Sequence, residues 1–327
     1  MGLVSLVVSD LNCGHVYLIV KALKYHDSVL CNAGSNAADD LIKKHPNPHR
    51  LKVFLQLEAN NMAIYLPDLF KKGNDAVLTN ALEQAVIGSL SYNGQRCTAL
   101  KLHFVPSKFA DRFVSSLVKE VESLPVGLPD QQHGAEKQYS KITPLPTTGR
   151  IKYMKELLDD AISKGAKIMN KDGGKVIGGA DSTLMVPAVL FPVTSDMRLY
   201  HEEQFGPLVP VTTYDSLDTI LEFGKENPYG QQISIFGQNV DEVSSILDKF
   251  SSVFARVNLN SQCGRSPDTL PFAGRRSSAM GVMSVSHALK EFSVPTVVAY
   301  SAKNDLVGNE KLVEGLHSKS KFLHQVA

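Results

Sequence analysis

The run Asn93-Gly94-Gln95-Arg96-Cys97-Thr98-Ala99 sets a cysteine where a nucleophile is easily presented. An apolar segment of helical character, Ala76 to Ser91, leads into a turn made by Asn93 and Gly94, and an extended apolar run from Leu100 to Val105 follows Cys97 directly. A cysteine at such a junction offers its sulfur and its own backbone N–H to one small space. The neighbouring Arg96 is expected to favour the thiolate, the reactive form of the side chain. Taken alone, a cysteine is better explained by packing, so the functional reading depends on the rest of the chain.

Three further features bear on it. Glu58 ends the apolar run Leu51 to Leu57, and a carboxylate at a strand's C-terminal end lies where α/β proteins keep their ligands. Partial desolvation there would raise its pKa and suit it to general-base work, whereas a paired or solvated acid would do nothing. The run His201-Glu202-Glu203-Gln204-Phe205-Gly206-Pro207 joins two acids, an aromatic ring and a Gly-Pro turn. A carboxylate in such a loop can grip ribose hydroxyls, and Phe205 can lie against an aromatic base; a solvated loop with an apolar plug has the same composition. Finally, Asn258 to Ser278 reads as a strand end followed by a long polar loop with three arginines. Arg265 offers a fixed fork of donors to an anionic substrate, or simply fixes the loop.

The elements that would position these groups alternate in type. Leu3 to Val8, Ser28 to Leu30 and Leu51 to Leu57 are strand-like, while Val16 to Lys24 and Ala37 to Lys44 carry helical spacing. That alternation predicts βαβ units and a parallel sheet. Lys108 to Leu124 puts Phe109, Phe113, Leu117 and Val121 on one face, with Ser107 as N-cap, and Ile151 to Lys164 forms another helix stopped by Gly165. Ala188 to Phe191, Gln232 to Phe236 and Phe254 to Leu259 are expected strands, with Val240 to Phe250 as a crossover helix between the last two. Pro129 to Pro146 reads as a long surface connection, and residues 301–327 as a peripheral tail.

Composition narrows the function classes. A chain of 327 residues has room for two cores, and its formal net charge of +1 gives no reason to expect nucleic acid or an anionic membrane as partner. No apolar run reaches the roughly 20 residues that span a bilayer. The four cysteines form no C-x-x-C pair, which speaks against a disulfide framework or a structural zinc and for a reducing, cytoplasmic setting.

Taken in order, G-Q-R-C-T, E-E-x-F-G-P and N-x-N-S-Q-C-x-R-x-P-D-x-x-P-F-x-G-R resemble the aldehyde dehydrogenase superfamily, and within it the non-phosphorylating, NADP-dependent glyceraldehyde-3-phosphate dehydrogenases. The resemblance runs over roughly residues 1–300. It implies an α/β fold with a partial Rossmann-type cofactor domain (1–60), an α/β catalytic domain (61–290) and a C-terminal oligomerisation strand (291–300). It implies NADP or NAD as cofactor, a small aldehyde as substrate (glyceraldehyde 3-phosphate being the candidate), and a homodimer or homotetramer. On the residues that match, Cys97 is the nucleophile and Glu58 the base that activates water against a thioester. Gly34 and Ser35 match the turn that presents N–H groups to the pyrophosphate. Glu203 matches the ligand of the nicotinamide ribose and Phe205 its ring neighbour, while Arg96 and Arg265 are candidates for the substrate's phosphate.

Some positions depart from the family pattern. Asn60 stands where a glycine follows the catalytic Glu by two positions, and the second glycine of the pyrophosphate turn is replaced within Ala38 to Asp40. The chain is expected to enter the fold part-way through the cofactor domain, as an N-terminally truncated enzyme with weak or no activity by itself. The alternative expectation is a non-catalytic protein of this fold acting through association.

Overall fold

The computed structural model describes residues 28–32, 34–287 and 309–320. The expected segments Leu3 to Val8, Val16 to Lys24 and Glu291 to Tyr300 lie outside the described residues. The chain divides into two compact units at residue 288. In the first, strand β1 (Ser28–Asn32), helix α1 (Ser35–Lys44) and strand β2 (Lys52–Gln56) form a βαβ unit with β1 and β2 parallel.

The main sheet follows. Its strands are β3 (Asn61–Tyr65), β4 (Leu100–Pro106), β5 (Lys167–Ile168), β6 (Ala188–Phe191), β7 (Leu208–Tyr214), β8 (Gln232–Phe236) and β9 (Arg256–Leu259). They lie in the order β9-β8-β3-β4-β7-β6-β5, all parallel except β5, which pairs antiparallel with β6. A further short strand, β10 (Ala279–Met280), returns to pair antiparallel with β2, so the small sheet is completed from a distant part of the chain.

Alternation along the strands feeds two cores, one on each face of the main sheet. Met62 and Ile64 of β3 join Leu102 and Phe104 of β4 on one face, covered by α4 (Thr148–Ser163), α5 (Leu217–Glu226) and α6 (Val240–Phe250). Ala63, Tyr65, Leu100 and Val105 face the other way, under α2 (Asp75–Leu90) and α3 (Ala110–Glu122). No helix among the described residues is long and apolar enough to cross a membrane.

The expected elements recur with small shifts. Ser107 opens a short 3-10 turn, and α3 itself begins after Phe109. Two central strands were not expected, for different reasons. β3 begins with Asn61, a residue poor in strands, directly after the polar run Glu58 to Asn60. β7 carries Pro210, tolerated because the strand pairs with β6 only as far as Leu190–Pro210. In the second unit, the segment expected as a tail contains α7 (Asn309–Lys319), where Glu, Lys and Leu supply helix propensity without a clear apolar stripe.

Candidate active site

Cys97 stands between α2 and β4, on a turn whose backbone is unusual. Tyr92, Asn93 and Gly94 all take positive φ, at 53°, 60° and 71°. The first two are held there: Asn93 Oδ1 accepts the Thr143 N–H at 2.9 Å, and the exposed Tyr92 ring lies 5.9 Å from the Arg96 guanidinium. Gly94 is required for a second reason, since a Cβ there would come within 2.5 Å of the Gly206 carbonyl oxygen and 2.7 Å of that of Ser89. The turn carrying Cys97 and the Glu203–Pro207 loop therefore abut through two glycines.

Asn61, fully buried, ties the strands behind Cys97. Its Nδ2 donates to the carbonyls of Cys97 at 2.6 Å and Ala99 at 3.0 Å, and its Oδ1 accepts the Gln232 N–H at 3.0 Å. One side chain thus fixes β3, β8 and the Cys97 backbone together.

Beneath the turn, Lys101 and Glu203 form a buried ion pair at 3.3 Å, their side chains 1% and 7% exposed. Lys101 also donates to the Gly94 carbonyl at 3.3 Å, and its ammonium lies 5.0 Å from the Phe205 ring. Phe205 itself takes a positive φ of 45°. Burial pushes the Glu203 carboxyl up to about 7, with Lys101 and the Ala59 N–H pulling against it and Glu58 adding to the rise. Burial likewise pulls the Lys101 ammonium below its ordinary value, opposed by Glu203.

The thiol of Cys97 differs from expectation. Burial pushes it above its ordinary value, against the Gln231 amide; Glu203 pushes it further, while Lys101 and the Thr98 N–H pull down. Arg96 does not turn the balance, because its Nη2 donates to the carbonyls of Ile87 at 3.2 Å and Gly88 at 3.1 Å and to Gln262 Oε1 at 3.2 Å. Arg96 is thereby committed to the C-terminal carbonyls of α2 and to the third motif.

The other expected residues fall as follows. Glu58 lies two residues past β2, half-buried, and its carboxylate accepts the Ser35 N–H at 2.8 and 2.9 Å and the Ser35 hydroxyl. Its oxygens occupy the N-terminal end of α1, whose N-cap is Gly34; a Cβ at Gly34 would come within 3.0 Å of Glu58 Oε1. That end of α1 presents converging donors to an oxyanion, which is what a phosphate needs. Asn60 turns away, donating to the Tyr200 carbonyl at 3.1 Å. Arg265 is exposed, 3.7 Å from Asp268 and 5.3 Å from the Phe272 ring, so it does not join the buried group around Cys97. Cys263 is buried beside Ser234 Oγ at 3.2 Å, and burial pushes its thiol up to about 12.

Asn61, Lys101 and Gln231 were not singled out in the sequence. Each had the same signal, a polar residue at or beside an apolar run: Asn61 before Met62 to Leu66, Lys101 within Leu100 to Val105, and Gln231 before Ile233 to Phe236.

A mainly parallel sheet with helices on both faces, three loops meeting around one cysteine, and a helix N-terminus whose donors hold a carboxylate define an α/β protein of dehydrogenase-like fold. Residues 18–298 match the aldehyde dehydrogenase family, and the chain belongs to that family. It is 33% identical over 239 residues to the NADP-dependent glyceraldehyde-3-phosphate dehydrogenase of Streptococcus equinus, covering 73% of this chain and 45% of that one. The enzyme of that name from Pisum sativum is 30% identical over 66% of this chain and 40% of its own. Among solved structures, the NADP complex of the glyceraldehyde-3-phosphate dehydrogenase of Bacillus halodurans C-125 superposes with a TM-score of 0.72 at 28% identity, covering 84% of this chain and 53% of that one. The chain spans about half the length of these relatives or less.

Proposed function

We propose that the chain carries the catalytic centre of an NADP- or NAD-dependent aldehyde dehydrogenase, with Cys97 as nucleophile. The observation that carries this reading is the convergence of the three motif loops on Cys97. Gly94 abuts Gly206, and Arg96 reaches Gln262, so each loop is fixed by another. The Cys97 thiolate attacks the aldehyde carbon and forms a thiohemiacetal, its C=O pair moving to oxygen. A bound nicotinamide cofactor would supply the acceptor for the hydride that leaves that carbon. A thioester remains on Cys97, and water hydrolyses it to the carboxylic acid and the free thiol. Glu58 takes the proton of that water once its carboxylate leaves Ser35.

Gly34 and Ser35 would hold the cofactor's pyrophosphate, with the Ser35 N–H and hydroxyl that now take Glu58 as its donors. Glu203 would face the nicotinamide ribose and Phe205 the ring, both anchored by Lys101. Glyceraldehyde 3-phosphate as substrate rests on the relatives named above and on Arg265, whose exposed guanidinium is available to a phosphate; Arg96 has its acceptors within the protein. Assembly into a homo-oligomer and a cytoplasmic setting belong to the same proposal.

A purely associative role has less support. Buried groups without partners destabilise a fold, and Gln231 beside Cys97 is such a group. The test is aldehyde oxidation with NADP and NAD against phosphorylated and plain aldehydes, for this chain and for one extended by the upstream half of a relative. The extended protein is expected to be active and its Cys97→Ser variant inactive; an inactive extended protein, or an active Cys97→Ser variant, would sink the proposal.

A further inference from the structure

Gln231 is 1% exposed, and among the described residues neither Oε1 nor Nε2 of its amide completes a hydrogen bond. Its neighbour shows what a structural amide looks like here. Gln232 donates Nε2 to the Gly264 carbonyl at 2.9 Å, and its Oε1 accepts from Gly264 N–H at 3.0 Å and Asn258 Nδ2 at 3.2 Å. Gln231 has no such anchorage, yet its location is fixed by backbone. Asn61 bonds the Cys97 carbonyl through Nδ2 and the Gln232 N–H through Oδ1, which sets Gln231 one side chain across from the nucleophile. The Gln231 amide lies against the Cys97 sulfur, close enough to favour its thiolate, while no hydrogen bond of full geometry holds either end of the amide.

A buried amide left unsatisfied costs stability, and such groups in native proteins call for a use. We propose that Gln231 Nε2 is an oxyanion donor for the reaction at Cys97. As the C–S bond forms, the carbonyl π pair moves to oxygen, and the Nε2–H donates to that alkoxide alongside the Cys97 backbone N–H. No proton is transferred in this step. A donor in place before the charge develops stabilises the transition state more than the bound aldehyde. The inference rests on Cys97 being the nucleophile and names a further catalytic residue of the same site.

Two reactions of the full chain separate the possibilities. p-Nitrophenyl acetate acylates a thiolate through a tetrahedral oxyanion and releases coloured p-nitrophenolate. Iodoacetamide alkylates the same sulfur by displacing iodide, with no oxyanion. Both rates are read on the high-pH plateau, where the thiol is fully ionised. Gln231→Met keeps the volume and removes the donor; Gln231→Leu is the second variant, and thermal melting checks folding. The expected result is a fall in acylation of about a hundredfold, with alkylation on the plateau essentially unchanged. Unchanged acylation, or a parallel fall in both rates, would overturn the proposal. Cys97→Ser tests the underlying reading separately: acylation persisting there would show that another group is the nucleophile.

Discussion

The two groups proposed to act at this site, Cys97 and Glu58, are held in opposite ways. Cys97 is locked from behind. Its carbonyl is bound by a fully buried Asn61, its turn is wedged against Gly206, and an ion pair lies beneath it. Glu58 is held from the front by one residue, Ser35, just past the end of β2, the middle strand of the small sheet. A nucleophile must meet its carbon within a few tenths of an ångström, and rigid placement serves that. A base that acts only after hydride transfer gains from being able to move. The difference also puts Glu58 in competition with any phosphate that approaches the N-terminus of α1.

The sharpest way to break the contrast is Asn61→Ala. It strands the Cys97 and Ala99 carbonyls and the Gln232 N–H, all bonded to one buried side chain. Each unsatisfied group costs about 1–3 kcal/mol, so a loss of about 3–5 kcal/mol is expected, read as a lower urea midpoint with the slope preserved. Next comes Gly94→Ala, at a φ of 71° with carbonyl oxygens 2.5 and 2.7 Å from the new Cβ. Strain and overpacking together predict about 2–4 kcal/mol. A loss no larger than that of an exposed substitution would show that the two loops are not wedged together.

The sequence made some of this legible and concealed the rest. Cys97, Glu58 and the Glu203–Pro207 loop stood out because their residue types are unusual in the context of neighbouring apolar runs. The helices announced themselves by apolar spacing and by stops such as Gly165, which takes a φ of 104°. β3 and β7 were hidden by Asn61 and Pro210, residues that local propensity counts against a strand and tertiary pairing overrides. The charge on Arg96 was legible, but its direction was not. A guanidinium next to a cysteine in sequence points instead at the carbonyls ending α2, because those acceptors need donors. The desolvation of Cys97 likewise depends on what closes over it, and no local pattern encodes that.

Glu58→Gln tests the loosely held side and should have a smaller effect. Replacing the charge weakens an interaction with the α1 N-terminus worth about 1 kcal/mol, so stability should change by no more than that. NADP binding should tighten by about fivefold, since the carboxylate no longer competes for the Ser35 N–H. Isothermal titration with the extended protein measures it, and weaker binding would contradict a shared anion site.

The smallest effects concern the field under Cys97, and here the sign carries the information. Glu203 raises the Cys97 thiol and Lys101 lowers it. Glu203→Gln should therefore shift the pH profile of iodoacetamide alkylation down, and Lys101→Met should shift it up. The same pair gives a stability test. With its carboxyl pushed up to about 7 in the fold and lower in the unfolded chain, Glu203 favours folding most when protonated. Its contribution is present below the ordinary carboxylate range and is lost as pH rises through about 7. The melting temperature of the wild type should thus fall relative to Glu203→Gln between about pH 5 and pH 8. Shifts of one sign for both variants, or parallel melting curves, would mean that Lys101 and Glu203 brace the Phe205 loop without setting the charge at the sulfur.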